Sequence, residues 1–166
     1  KKKESDTAVH IQTNNSYKGF YRFKNEYRSG MKDLFHNLQQ DYKLSVLSGD
    51  NDGEKSYLKS ILPTKVNLLF NHKPDQKLEH IKSLQDNSAK VLMIGDGLND
   101  AGALAQSNVG IVVSDNTNTF SPACDAILQS SKMTLLPQFL KLSKETIRII
   151  KSSIVLSFLY NGIGLY

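Results

Sequence analysis

Val91-Leu92-Met93-Ile94-Gly95-Asp96-Gly97-Leu98-Asn99-Asp100-Ala101-Gly102-Ala103-Leu104-Ala105 changes character at its centre. The first four residues form an apolar run of the kind that makes a buried strand. Gly95 and Gly97 break it, and Ala101, Ala103, Leu104 and Ala105 then supply a short helix. The same alternation repeats on both sides. Downstream, residues 109–113 read as a strand and Ala126-Ile127-Leu128 as a further one. Upstream, Leu44-Ser45-Val46-Leu47 and residues 66–70 are short apolar runs. The second is followed by Pro74, placed as the first residue of a helix whose Leu78, Ile81 and Leu84 face inward. Strands alternating with helices require right-handed crossovers and a parallel sheet. The expected fold is therefore α/β, a doubly wound, mostly parallel sheet.

The flanks differ from this core. Val9-His10-Ile11-Gln12-Thr13 alternates as a half-buried strand does, and Asn14-Asn15-Ser16 is turn chemistry. Residues 19–27 alternate again, with Phe20, Arg22, Lys24 and Glu26 on one face, so a β-hairpin is expected. Met31, Leu34, Phe35 and Leu38 fall at helical spacing, with Ser29 available as N-cap. A second helix over residues 54–62 stops at Pro63. Residues 139–150 read as a long helix without a breaker, and residues 152–166 are uncharged and mostly apolar. Those 15 residues fall short of the ~20 that a spanning helix needs. They are expected to begin a membrane span, against the alternative of a buried core helix.

Charge narrows the partners. Lysine and arginine number 21 against 16 acids, a net charge of +5. Part of the excess is Lys1, Lys2 and Lys3, and another part is Lys141, Lys144, Arg148 and Lys151, next to the apolar tail. That placement favours a lipid bilayer, and no basic stripe with interleaved aromatics of the kind that binds nucleic acid is present. The lone Cys124 excludes an internal disulfide. His10, His36, His72 and His80 lack metal-ligand spacing. The opening residues do not read as a signal peptide, and the polar start without Met is not expected to be a natural N-terminus.

In an open parallel sheet, function collects outside the carboxyl ends of the strands. At the first such end, Ser48-Gly49-Asp50 offers a hydroxyl and backbone N–H groups to a phosphate oxygen, although such tripeptides are commonly just turns. Asp50-Asn51-Asp52-Gly53 hints at a calcium loop but lacks the other ligands of one. Beyond the second end, Lys77 lies in the first turn of its helix. A cation there is unfavourable to the helix dipole, and an anion would offset the cost. At the third end, Asp96, Asn99 and Asp100 gather hard oxygens around Gly95 and Gly97, which permit close backbone approach. A helix N-cap explains one Asp but not all three residues. The set suits Mg²⁺, which takes one or two carboxylates plus waters and phosphate oxygens.

Met93-Ile94-Gly95-Asp96-Gly97-Leu98-Asn99-Asp100-Ala101, followed by Ala103-Leu104-Ala105 and Val109-Gly110-Ile111, resembles the hinge motif of P-type ATPases, within the haloacid dehalogenase superfamily. Ser48-Gly49-Asp50 is similar to the family's T-G-D motif, and Pro74-Asp75-Gln76-Lys77 to its P-x-x-K motif. Tyr160-Asn161 resembles a pair on the membrane helix that follows this domain in the copper-type, heavy-metal subfamily. The resemblance runs from about residue 17 to the end of the chain and implies an autophosphorylating pump for a heavy-metal cation, Cu⁺, with ATP as phosphoryl donor and Mg²⁺ as cofactor. It implies that Ser48 and Gly49 bind a phosphoryl oxygen, that Asp50 orients the site, and that Lys77 neutralises phosphoryl charge. By the same resemblance Asp96 and Asp100 bind Mg²⁺, Asn99 and Asp100 hold the phosphate and metal shell, and Tyr160 and Asn161 belong to the Cu⁺ pathway.

The implied organisation is a hairpin over residues 1–28, a phosphorylation-domain core over 29–133, a stalk helix over 134–151 and a truncated membrane helix over 152–166. Residues 1 to about 151 would be cytoplasmic. Three features depart from the family pattern: Ser48 stands for Thr, Gly102 stands where copper-type pumps have Pro, and Asp115-Asn116-Thr117-Asn118 replaces G-T-D. The sequence also contains no D-K-T-G-T, so the aspartate that is phosphorylated is missing, as is the nucleotide-binding domain. This implies a fragment that is inactive alone and needs the remainder of the pump. A soluble phosphatase of the superfamily would also use the three motifs but leaves the basic segment and apolar tail without a role. A non-catalytic regulatory domain would explain the missing aspartate but not Lys77 with both Asp96 and Asp100.

Overall fold

The computed structural model describes residues 7–23, 27–115 and 124–164. Strands β1 (Thr7–Thr13) and β2 (Ser16–Phe23) form the expected antiparallel hairpin, with Thr13 opposite Ser16. Asn14 and Asn15 both take positive φ, 48° and 60°, which gives the two-residue turn that matches strand twist. His10 pairs with Phe20, so Phe20 and Arg22 share a face, and the Arg22 guanidinium lies 5.5 Å from the Phe20 ring centre. Lys24 and Glu26 fall outside the described residues.

Helix α1 (Met31–Leu38) buries Leu34. Its N-cap is Gly30 and not Ser29 as the sequence suggested. The chain enters the helix through φ 79° at Gly30, a left-handed turn that glycine adopts without steric cost, and the helix therefore starts one residue later. Strand β3 (Ser45–Leu47) leads through a 3₁₀ turn (Asp52–Glu54) into α2 (Lys55–Ile61). Strand β4 (Asn67–Leu69) leads into α3 (Pro74–Asp86), and β5 (Leu92–Gly95) into α4 (Ala101–Gln106). Strands β6 (Val109–Ser114) and β7 (Ala126–Gln129) follow, and a 3₁₀ segment (Ser130–Leu135) runs into α5 (Leu136–Gly164).

Every strand pair after the hairpin is parallel, as the alternation predicts. The strands do not form one sheet, however. β3 pairs only with β4, whereas β5, β6 and β7 form a separate sheet in that order. Among the described residues no strand stands between β3 and β5, so each keeps one edge unpaired. The core divides the same way. Ile81, Met93, Ala103, Leu104 and Val112 pack under the larger sheet, and Leu58, Leu62 and Val66 under the smaller, with Met31, Phe35, Leu44 and Val46 against them.

The stalk and tail read from the sequence form one continuous helix of 29 residues, α5. Its start is fastened to the domain, with Leu136 buried and Lys144 seated 4.6 Å from the Tyr42 ring centre and 3.8 Å from the Asp41 carboxylate. The hydrogen bond to Tyr42 raises the Lys144 ammonium above its usual range. Further along, Ile154, Phe158, Leu159 and Tyr160 are exposed. No helix among the described residues is long and apolar enough to cross a membrane.

Candidate functional site

The residues read from the sequence as phosphoryl- and Mg²⁺-binding occupy the carboxyl ends of β3 and β5 and the start of α3. At the end of β3, the Asp50 N–H donates to the Ser48 hydroxyl oxygen at 3.1 Å. Ser48 thus accepts locally, and among the described residues its own O–H is not engaged, which leaves it a donor for an anion. Backbone hydrogen bonds stitch this loop to the one after β4. The Ser48 N–H donates to Leu69 O, the Asn71 N–H to Asp50 O and the His72 N–H to Ser48 O, at 2.8, 2.8 and 3.0 Å. Asn71 accepts φ 59° to make the stitch. Asn51 caps the following 3₁₀ turn, its Oδ1 accepting from the Gly53 N–H at 3.0 Å, so it serves this loop as a cap.

The end of β5 is built around Asp100. Lys77, whose N–H closes the first turn of α3 on Lys73 O, reaches across to it, and Lys77 Nζ lies 2.7 Å from Asp100 Oδ1. Both side chains are largely buried, 10% and 14% exposed, so each charge has left water on condition of meeting the other. The second carboxylate oxygen, Oδ2, lies 2.6 Å from where a Cβ on Gly95 would stand. Gly95 is therefore the residue that lets Asp100 fold back over the strand end. Asp96 turns the other way, its Oδ1 accepting from the Leu98 N–H at 3.2 Å, while Gly97 takes φ 88°. Asp96 and Asn99 face solvent. At Gly102 a Cβ would stand 3.1 Å from Leu78 Cδ1, so the residue that departs from the copper-type pattern sits where α4 presses on α3.

The structure thus brings Lys77, Gly95 and Asp100 into one cluster, and Ser48, Gly49 and Asp50 into another. No hydrogen bond or ion pair among the described residues joins the two. Each cluster lies at the end of a strand, β3 or β5, that keeps one edge unpaired among the described residues. Tyr160 and Asn161 lie on the exposed far part of α5, away from both. Asp115 follows β6, with its carboxylate 3.7 Å from Arg28, and residues 116–118 of that stretch lie outside the described residues.

Two residues beside the site carried no signal in the sequence. Tyr27 donates its hydroxyl to Glu54 at the end of the Ser48 loop, a pairing of residues 27 positions apart that no local pattern announces. His72, read as a scattered histidine, is in the loop stitched to Ser48. Its Nδ1 lies 2.9 Å from Phe70 O and its ring meets His80 edge-on at 6.4 Å. No group of three or more His, Cys, Asp or Glu capable of holding a metal occurs among the described residues. Mg²⁺ does not require one, because it binds through one or two carboxylates and completes its shell with water and phosphate oxygens. Asp96 and Asp100 are the two carboxylates at this strand end.

Comparison with known proteins agrees with this architecture. Residues 2–108 match the family described as haloacid dehalogenase-like hydrolase. The chain is 30% identical over 163 residues, 97% of its length, to the chloroplastic copper-transporting ATPase PAA1 of Arabidopsis thaliana. It is 31% identical over 167 residues, 98% of its length, to a copper-exporting P-type ATPase of Staphylococcus saprophyticus. It spans only 17% and 20% of the lengths of these two relatives. Among solved structures, a zinc-transporting PIB-type ATPase in the E2.Pi state shares the fold, with a TM-score of 0.72 at 24% identity over 91% of this chain and 25% of that one. The chain belongs to the haloacid dehalogenase-like hydrolases, and within them it is homologous to one segment of the heavy-metal P-type ATPases.

Proposed function

We propose that this chain supplies the Mg²⁺- and phosphoryl-binding half of the phosphorylation site of an ATP-driven cation pump, with Cu⁺ as the transported ion. The observation that carries the reading is the buried Lys77–Asp100 pair at the rim of β5, 2.7 Å between charged atoms. A buried ion pair is weak evidence for stability, because hydrophobic pairs of similar volume often hold a core as well. Its position beside Asp96, on the rim where an open α/β sheet binds ligands, supports a chemical use.

The chemistry follows from the groups present. Ser48 donates its free hydroxyl proton to one phosphoryl oxygen, and Lys77 neutralises charge on another. Asp96 and Asp100 would hold Mg²⁺, which would offset the negative charge of the phosphoryl group. Asn99 serves the phosphate shell, and Gly95 and Gly97 let the backbone approach. The unpaired edges of β3 and β5 suit a parallel strand entering between them, from a D-K-T-G-T segment that this sequence does not contain. Its aspartate would then leave the sheet between Ser48 and Asp96. This accounts for two half-sheets that each end in half a site, which neither a complete phosphatase nor a regulatory domain requires.

The test uses the chain itself. Titration with Mg²⁺ in the presence of inorganic phosphate is expected to shift the NMR amide signals of Gly95 through Asp100, and to do so weakly without phosphate. In Asp96→Ala together with Asp100→Ala the shifts should vanish. Shifts that survive the double substitution would remove these carboxylates from the site.

The choice of Cu⁺ rests on the copper relatives and on Tyr160-Asn161. An amide within a bilayer must find a partner, so Asn161 in a pump serves either helix packing or the ion path. Neither residue offers a soft donor, and Cu⁺ prefers sulfur, so they would orient or complete a site whose thiolate or thioether ligands come from other helices. The basic residues between Lys141 and Lys151 would keep the start of α5 and the domain before it on the cytoplasmic side. In a full-length pump carrying this segment, Asn161→Ala is expected to weaken Cu⁺-stimulated turnover while phosphorylation from inorganic phosphate persists. Unchanged stimulation in both Asn161→Ala and Tyr160→Phe would end the pathway assignment.

A further inference from the structure

The Ser48 loop is stitched to the β4 loop on one side by backbone hydrogen bonds. On its other side it ends at Glu54, the residue that opens α2. The residue at this N-cap position is ordinarily a Ser, Thr, Asp or Asn whose side chain accepts from the first N–H groups of the helix. Glu54 makes no such bond. Its carboxylate accepts instead from the Tyr27 hydroxyl.

Tyr27 is itself firmly set. Its ring packs against the Leu58, Leu62 and Val66 cluster and stands 5.4 Å from the Tyr57 ring, tilted by 32°. Burial first, and then the bond to Glu54, push the Tyr27 hydroxyl well above the usual phenol range, so it remains a donor. Glu54 is thus tied to the small core from outside its own segment, and through Asn51, which caps the same 3₁₀ turn, the tie runs to the residues that follow Asp50.

We propose that Tyr27 and Glu54 are positioning residues, a brace that fixes the far end of the loop from Ser48 to Glu54 and so sets where the Ser48 hydroxyl and the Asp50 backbone stand. The brace rests on the reading of that loop as phosphoryl-binding only for its purpose, not for its existence. A loop clamped at both ends presents its donors without first being ordered by ligand, which is the condition for binding a phosphoryl group through a few fixed contacts. A tyrosine placed only for packing would be replaced by phenylalanine without consequence to the loop.

The experiment is amide hydrogen exchange on the isotopically labelled chain, without ligand, so that it does not depend on phosphate binding. In Tyr27→Phe, the amides of Gly53, Asn71 and His72, which are bonded within the loop or to it, are expected to exchange about ten times faster, while those of β6 keep their rates. Glu54→Ala should reproduce the pattern and Glu54→Gln, which retains an acceptor, should recover most of it. The double variant Tyr27→Phe with Glu54→Ala should exchange no faster than either single one. Unchanged exchange at Gly53, Asn71 and His72 would overturn the brace, as would equal acceleration in β6, the mark of general destabilisation, or additive effects in the double variant. A phosphate titration that leaves Ser48 unmoved in the unaltered chain would overturn the phosphoryl reading and leave the brace standing.

Discussion

Replacing Lys77 by alanine in a full-length pump carrying this segment is expected to lower phosphoryl transfer about 100-fold or more. The size follows from the position of the ammonium, which would meet charge that grows in the transition state. Deleting such a donor costs ~2.7–4 kcal/mol in comparable oxyanion sites. A second loss accompanies the first. Asp100 stays behind with its side chain 14% exposed and no cation, and breaking a mostly buried pair by removing one partner costs about 3–5 kcal/mol of stability. The two losses separate experimentally. Lys77→Met combined with Asp100→Asn removes both charges at similar volume, and its unfolding free energy should return most of the way. Its phosphorylation should stay lost. Near-normal phosphorylation in Lys77→Ala would reduce the pair to a structural contact.

Leu104→Ala is expected to cost about 3–4 kcal/mol, within the ~2–5 kcal/mol range for leucine truncations in a core. Leu104 is 1% exposed, the largest fully buried side chain among the described residues, and packs with Ile81, Met93, Ala103 and Val112. The loss is a large part of the ~5–15 kcal/mol that holds an ordinary domain. It also reaches the site, because the Leu104 N–H donates to Asp100 O at 2.8 Å and a loosened α4 loosens the carboxylate at its start. Urea denaturation measures it through a lower midpoint at similar slope. Leu142→Ala, at a position 62% exposed, is the control and should change stability by no more than about 0.5 kcal/mol. Equal effects of the two would mean that the cluster around Leu104 is not the core.

The parallel strands and their helices were legible because each is announced by a local pattern: an apolar run, then a break, then helical spacing. The strand ends were legible for a chemical reason. Asp96, Asn99 and Asp100 around two glycines are more than a plain helix cap uses, and a lysine at the start of α3 has a cost that an anion would offset. What stayed hidden depends on partners distant in sequence. Ser29 was a reasonable N-cap by composition, but the left-handed turn at Gly30 is a property of the path the chain takes into α1. The Tyr27–Glu54 bond joins residues with no shared motif. The division into two sheets could not be read from strands that each look equally buried, because pairing order is set by what lies between them.

The pairing of Lys77 with Asp100 makes the resting site electrically self-satisfied. A divalent cation that draws on Asp100 leaves Lys77 with a charge to spend, and an anion that draws on Lys77 leaves Asp100 with the same need. Each ligand therefore prepares the place of the other, and by reciprocity the two couplings are equal. Neither a stray cation nor a stray anion alone repays the broken pair. In the site proposed above, the lysine and the aspartate together would work as a coincidence detector, responding when a metal ion and a phosphoryl group arrive in company.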